Sequence, residues 1–198
     1  IRLEQEYLQR QKDVLAKEVT YVINYIEFHV KNNTKLSEEE LKNKMLRYIE
    51  TIRYGKHGYI WIHDTNYYLR AHPFRQNKLN TYDIDLKDAI GTFITKQFID
   101  ETIKKPNGIF IEYFWQKPNE ANFSKKIGFF RLYEKYNWVI GSGLYVDDIQ
   151  KSISENKRLL EEKIDKYIRL VVFISSLVIV FIGLISFFMS KKITEVFQ

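Results

Sequence analysis

The apolar positions of this chain change their period along its length, and the longest unbroken run comes last. Leu170 to Met189, LVVFISSLVIVFIGLISFFM, holds no charged residue and no proline. About 20 helical residues rising 1.5 Å each reach roughly 30 Å, the hydrocarbon thickness of a bilayer. The run predicts a transmembrane helix rather than the core helix of a soluble domain. At the other end, Leu8, Leu15, Val22 and Val19, Ile26 recur every seven residues among Glu, Gln and Lys, which predicts a long helix over about 1–31. A second helix starts at Leu36-Ser37-Glu38-Glu39-Glu40-Leu41, where Ser37 can cap and Glu40 can close a capping box, and runs to about Arg53. From Gly55 the text turns aromatic and β-branched. Residues 58–64 (GYIWIHD) read as a strand and 67–72 as its hairpin partner, ended by Pro73. Helical spacing returns over 88–104 through Ile90, Phe93, Ile94, Phe98 and Ile103, stopped by Pro106-Asn107-Gly108. Strands follow at 109–115, 126–133 and 138–145, with hairpin-length connections between them. From about Asp147 a helix runs into the apolar segment. Its Ile153, Leu160, Tyr167 and Lys157, Ile164, Val171 are spaced by seven, a seam for a partner helix that Lys157 interrupts. The prediction is an α+β fold: an antiparallel sheet of about five strands on a long N-terminal helix, followed by a C-terminal transmembrane helix.

Composition narrows the chemistry. The 198 residues contain no cysteine, which excludes disulfides and thiolate metal sites. The net charge of +6 is dispersed, and no Lys/Arg stripe with interleaved aromatics marks a nucleic-acid groove. Basic residues flank the apolar run on both sides, so charge alone does not orient it.

Strand alternation puts Tyr59, Trp61 and His63 on one face, Tyr68, Arg70 and His72 on another, and Ile109, Ile111, Tyr113 and Trp115 on a third. Such faces either pack as aromatic core or line a small polar pocket whose rings exclude water. His57, His63, His72 and Asp64 show no recognised metal-ligand spacing, and no nucleophile elbow or phosphate loop is present. Gly141-Ser142-Gly143 closes a strand, and its glycines permit close approach of backbone or ligand.

Several motifs, in order, resemble the single Cache domain of bacterial receptors, second subtype. They are Tyr54-Gly55-Lys56-His57-Gly58-Tyr59-Ile60-Trp61-Ile62-His63-Asp64, Ala71-His72-Pro73, Glu112-Tyr113-Phe114-Trp115-Gln116-Lys117-Pro118, Lys126-Ile127-Gly128-Phe129, and Trp138-Val139-Ile140-Gly141-Ser142-Gly143-Leu144-Tyr145-Val146-Asp147-Asp148-Ile149. The resemblance implies a PAS-like sensor domain over 1–149, its N-terminal helix at about 1–31 and its sheet-containing core at about 54–149. It further implies a juxtamembrane helix at 150–169, the transmembrane helix at 170–189, and a cytoplasmic linker starting over 190–198. A first membrane helix is expected before Ile1. The domain would face the periplasm or cell exterior from the bacterial inner membrane. The seven-residue spacings near both chain ends, rather than the resemblance, predict a homodimer. Its ligand would be a small metabolite, often a short organic acid, with no cofactor or metal. The implied binding residues are Tyr59, Trp61, His72, Phe74, Phe93, Tyr113, Trp115, Lys126 and Phe129. Lys126 and a His72 donor suit a carboxylate. Phe129 stands where many members carry tyrosine, and Arg70 where an apolar residue is common.

Three classes follow: a sensor region of a chemoreceptor, histidine kinase or nucleotide cyclase; a membrane-anchored hydrolase; or a structural domain without ligand. A hydrolase needs a nucleophile beside a base, and no convincing pair is visible. A structural domain predicts no saturable stabilisation by small molecules. The resemblance favours the sensor, with no enzymatic activity in this region.

Overall fold

The computed structural model describes residues 2–196 apart from Asn119. Helix α1 (Arg2–Asn32) and helix α2 (Glu38–Ile49) precede strands β1 (Arg53–Tyr54), β2 (Gly58–Asp64) and β3 (Leu69–Ala71). Helix α3 (Ile94–Lys104), strands β4 (Ile109–Gln116), β5 (Phe123–Tyr133) and β6 (Trp138–Tyr145), and helix α4 (Val146–Val196) complete the order. The sheet is antiparallel and six-stranded, ordered β1-β2-β6-β5-β4, with β3 pairing β2 as well. By contacts the chain divides into two compact units, up to Lys151 and from Ser152.

The first unit is built on alternation. On one face of the sheet, Ile60, Ile62, Phe129, Tyr133, Trp138 and Ile140 pack against Leu15, Val19, Val22 and Ile26 of α1 and Leu41, Met45 and Ile49 of α2. On the other, Tyr59, Trp61, Ile111, Tyr113, Phe130 and Val139 meet Ile94, Phe98 and Ile99 of α3. The seven-residue repeat of α1 therefore serves its own sheet and is not free for a partner helix. A heptad stripe and a globular apolar stripe differ by only about 20° per heptad, so over four turns the sequence does not separate them. The helix leaves a different stripe exposed: Val14, Tyr21 and Phe28, again spaced by seven.

Some boundaries move. The box at Ser37 forms as read, Ser37 Oγ accepting from Glu40 N while Ser37 N donates to the Glu40 carboxylate. The helix it starts ends at Ile49 rather than near Arg53, because Arg53 and Tyr54 form an added strand on β2. The helix expected over 88–104 begins only at Ile94. Asp88 holds the preceding residues in a turn, its Oδ1 accepting from Ile90 N and Thr92 N and its Oδ2 from Phe114 N on β4. Aspartate side chains offer the backbone this alternative to a helix.

In the second unit α4 is long and apolar enough to cross a membrane, and its apolar side chains from Leu170 to Phe187 are exposed. Leu160, Ile164, Tyr167 and Val171 are exposed too.

Candidate functional site

The α3 face of the sheet holds a buried lysine. Lys126 of β5 has 0% of its surface exposed. Its Nζ donates to the Tyr59 phenol oxygen at 2.8 Å and lies 4.1 Å from the Tyr59 ring centroid, 4.7 Å from Trp61 and 4.9 Å from Tyr145. Three strands thus build an aromatic cage around one amine. Cation–π contacts offset part of the cost of desolvating an ammonium. Among the described residues no carboxylate pairs with it. Burial accordingly holds the amine well below the ordinary lysine range, and pushes the Tyr59 phenol up to about 12.

The Gly141-Ser142-Gly143 run makes the cage possible. A Cβ on Gly141 would stand 2.7 Å from the Trp61 ring, and one on Gly143 would strike the Lys126 side chain. Ser142, between them, points the other way. Its Oγ donates to Tyr59 O at 2.7 Å and also meets the Tyr54 hydroxyl, so it is bonded structure rather than a nucleophile.

His72 stands beside the cage, 5.3 Å from Tyr59 between ring centroids. Its Nδ1 accepts from Phe74 N at 3.1 Å, so the proton of the neutral ring sits on Nε2 and is available to a ligand. Burial, with Lys126 and Arg75 nearby, lowers this imidazole to about 2, and the ring is neutral.

A cleft of about 800 Å³ opens beside these groups, lined among others by Tyr59, His72, Phe74, Arg75, Trp115 and Lys117. A smaller space of about 20 Å³ lies deeper, and Tyr59, Arg75, Leu86 and Trp115 line both. The structure brings Tyr59, Trp61, His72, Phe74, Tyr113 and Trp115 to the lining of these spaces, and Lys126 lies behind that lining, lining neither space itself but in contact with Tyr59 and Trp61. It does not bring the other two expected residues. Phe93 is 43% exposed, under Lys87, and lines neither space. Phe129 lies on the opposite face, in the core against α1, because residues three apart on a strand point opposite ways. Arg70 is taken up by Asp64 at 2.7 Å and by Asn80 at 2.9 Å.

Sequence reasoning missed Arg75, which lines both spaces and clamps Asp83 with two hydrogen bonds of 2.7 and 3.2 Å. A cation just after Pro73-Phe74 was the available signal. It also missed Lys117, which lines the cleft and holds Asp147 and Asp148 in the first turn of α4, with His57 Nδ1 on the Asp148 carboxylate at 2.6 Å. The far ends of β4 and of the β1–β2 turn are so fastened to the start of α4. Among the described residues, no group of three or more His, Asp or Glu side chains is placed to hold a metal.

The sheet is antiparallel, with a long N-terminal helix packed on one face and the ringed amine on the other. The model of the single Cache domain 2 family matches residues 7–158, and the chain belongs to that family. It is 28% identical over 124 residues to the methyl-accepting chemotaxis protein McpP of Pseudomonas putida, a match covering 62% of this chain and 22% of that one. It is 30% identical over 112 residues to the sensor histidine kinase MctS of Rhizobium johnstonii, covering 57% and 24%. The matches thus span less than a quarter of the length of these two relatives. Among solved structures, a Cache chemosensory domain described for its carboxylic acid recognition superposes with a TM-score of 0.67 at 21% identity, covering 72% of this chain and 97% of that one. A methyl-accepting chemotaxis protein of Vibrio parahaemolyticus gives 0.65 at 23%, covering 75% and 97%.

Proposed function

We propose that this region senses a short organic acid outside the bacterial inner membrane and passes its occupancy to a signalling module of a receptor. The observation that carries the reading is Lys126: a fully buried amine, ringed by aromatics, with no acidic partner among the described residues. A carboxylate arriving there supplies the missing counter-charge in a site shielded from water, where charge-assisted hydrogen bonds are strong. His72 and Arg75 line the cleft beside Tyr59, whose phenol accepts from Lys126, and both suit the same anion. The solved Cache domain that recognises carboxylic acids has this fold. No step of chemistry is assigned to the region. Its output, in keeping with the relatives, is a methyl-accepting or a kinase module.

A thermal-shift screen of the 198-residue chain in detergent tests the ligand. A carboxylate at a hundredfold excess over Kd adds about 2.7 kcal/mol, which for a domain of this size raises Tm by about 5 °C or more. Matched amines and neutral amides are expected to give no shift. A screen in which no short acid stabilises the protein overturns the reading.

The receptor is read as a homodimer with the domain outside and residues beyond Met189 in the cytoplasm. The Val14, Tyr21, Phe28 stripe supports a second copy as partner, since a membrane anchor holds two copies parallel. The chain lacks cysteine, so Tyr21→Cys supplies a unique probe. It is expected to react in intact cells with a membrane-impermeant maleimide and to form a disulfide-linked dimer. Labelling only after lysis would reverse the topology, and a monomer under oxidation would remove this stripe from the interface.

A further inference from the structure

The described residues contain two buried side-chain polar atoms without a hydrogen-bond partner, His63 Nδ1 and Thr95 Oγ1. Both residues line the same small space of about 20 Å³, with Trp61, Tyr113 and Trp115 as its aromatic walls and Arg75 as its cation. Their positions are dictated from two sides. His63 follows Tyr59 and Trp61 on the inward face of β2. Thr95 sits in the first turn of α3, whose Phe98 packs on the His63 ring with centroids 5.2 Å apart. Unsatisfied buried groups are uncommon, and each costs a good part of a hydrogen bond. Two on residues that line one cavity point to an occupant that satisfies both.

The tautomer of His63 says what that occupant must offer. Its Nε2 lies 3.3 Å from Asp83 Oδ2. Asp83 is clamped by Arg75, and although burial would raise its carboxyl, His63 and Arg75 hold it below the ordinary range. An ionised carboxylate only accepts, so the ring proton is on Nε2. Burial keeps the imidazole neutral against the pull of Asp83. Nδ1 is therefore a bare lone pair that needs a donor. Thr95 Oγ1–H can donate to the same group. A carboxylate oxygen or a keto oxygen can accept from Thr95 but leaves Nδ1 empty. A methylene leaves both empty. An ammonium would donate to both, yet it would enter beside the Arg75 guanidinium, with Lys126 close by at the Trp61 ring. A hydroxyl donates to Nδ1, accepts from Thr95, carries no charge and fits a space of about one small group.

We propose that His63 and Thr95 form a hydroxyl-reading subsite, so that the favoured ligand class is a short hydroxy acid rather than a simple alkanoate or keto acid. This rests on the carboxylate reading of the site given above and deepens it. Discrimination by a site with unpaired polar groups is large, because the analogue lacking the hydroxyl leaves them unpaired.

The test titrates the 198-residue chain in detergent with four three-carbon acids: propanoate, 2-oxopropanoate, 2-hydroxypropanoate and 3-hydroxypropanoate. At least one hydroxy acid is expected to bind tenfold or more tighter than both propanoate and 2-oxopropanoate. Thr95→Val is nearly isosteric and removes a hydroxyl that bonds to nothing in the free protein, so the fold is retained. That variant is expected to cut the preference for the hydroxy acid over propanoate at least threefold. Equal binding of all four acids by wild type, as when a resident water fills the space, overturns the subsite but leaves the carboxylate site standing. So does a preference that Thr95→Val does not alter. If none of the four binds, the subsite fails, and the carboxylate reading fails with it when the thermal-shift screen also finds no short acid.

Discussion

Lys126→Met is expected to abolish stabilisation by a carboxylate ligand while leaving the unliganded domain at least as stable as wild type. Methionine matches the lysine stem in length and flexibility and keeps the contacts with Tyr59, Trp61 and Tyr145. What it removes is a buried amine whose only hydrogen-bond partner among the described residues is the Tyr59 phenol. Replacing buried ionic groups by apolar ones of similar volume is often neutral or stabilising. The pH dependence has a definite sign. Burial holds the folded-state amine well below the lysine range, whereas the unfolded chain keeps its proton up to about 10.4. Between those limits the unfolded state binds more protons, so Lys126 makes stability rise with pH there. The methionine variant lacks that rise, and the difference between the two proteins separates it from the titration of the buried tyrosines. A bound anion reverses the preference and favours the ammonium. Ligand binding above the free-site titration should therefore take up as much as one proton, read from calorimetry in buffers of different ionisation enthalpy. A ligand shift in Lys126→Met equal to that of wild type would remove the lysine from the site.

Gly141→Val is expected to damage fold and site together. Gly141 lies on central strand β6, paired with Trp61 on one side and Phe130 on the other. A Cβ there would stand 2.7 Å from Trp61 Cε2 and 2.9 Å from its Cζ2 and Nε1. The indole is rigid, buried, and set edge-to-face on Phe130 at 5.7 Å. It has no free rotamer to retreat into, and overpacking of this kind costs about 1–3 kcal/mol. For a domain of this size that lowers Tm by several degrees, measured by calorimetry or near-ultraviolet circular dichroism. Because Trp61 also walls the cage and the small space behind it, ligand stabilisation should be lost even well below the new Tm. A variant with wild-type Tm and ligand response would show that the ring does not need this glycine.

Much of this architecture is written in local pattern. The capping box at Ser37 forms as read, because its bonds join residues three apart. The strand faces follow from period-two alternation, which puts Tyr59 with Trp61 and Tyr113 with Trp115, and the sheet then brings the two pairs to one cluster. The family resemblance rests on motifs spread in order from β1 to the start of α4, and the family match covers residues 7–158. Errors arise where a long-range bond competes with a local one. The turn at Asp88 is held locally by Ile90 N and Thr92 N and anchored by Phe114 N, 26 residues away, so a segment with helical spacing is not helical. Phe93 and Phe129 resemble pocket residues in the linear text, but exposure and strand parity send them elsewhere.

The sequence by itself determined the α+β class, the long helices, the apolar run at 170–189 and the aromatic faces, because each depends on spacing within one element. Tertiary structure alone decided which cation is free. Arg70, Arg75 and Lys117 find carboxylates on Asp64, Asp83 and the Asp147-Asp148 pair, whereas among the described residues Lys126 finds only rings and a phenol. It also decided that His63 and Thr95, 32 positions apart and each with an unpaired buried atom, line one space. Pairing, burial and the protonation that follows from them are properties of neighbours in space, and the linear order of the residues does not state them.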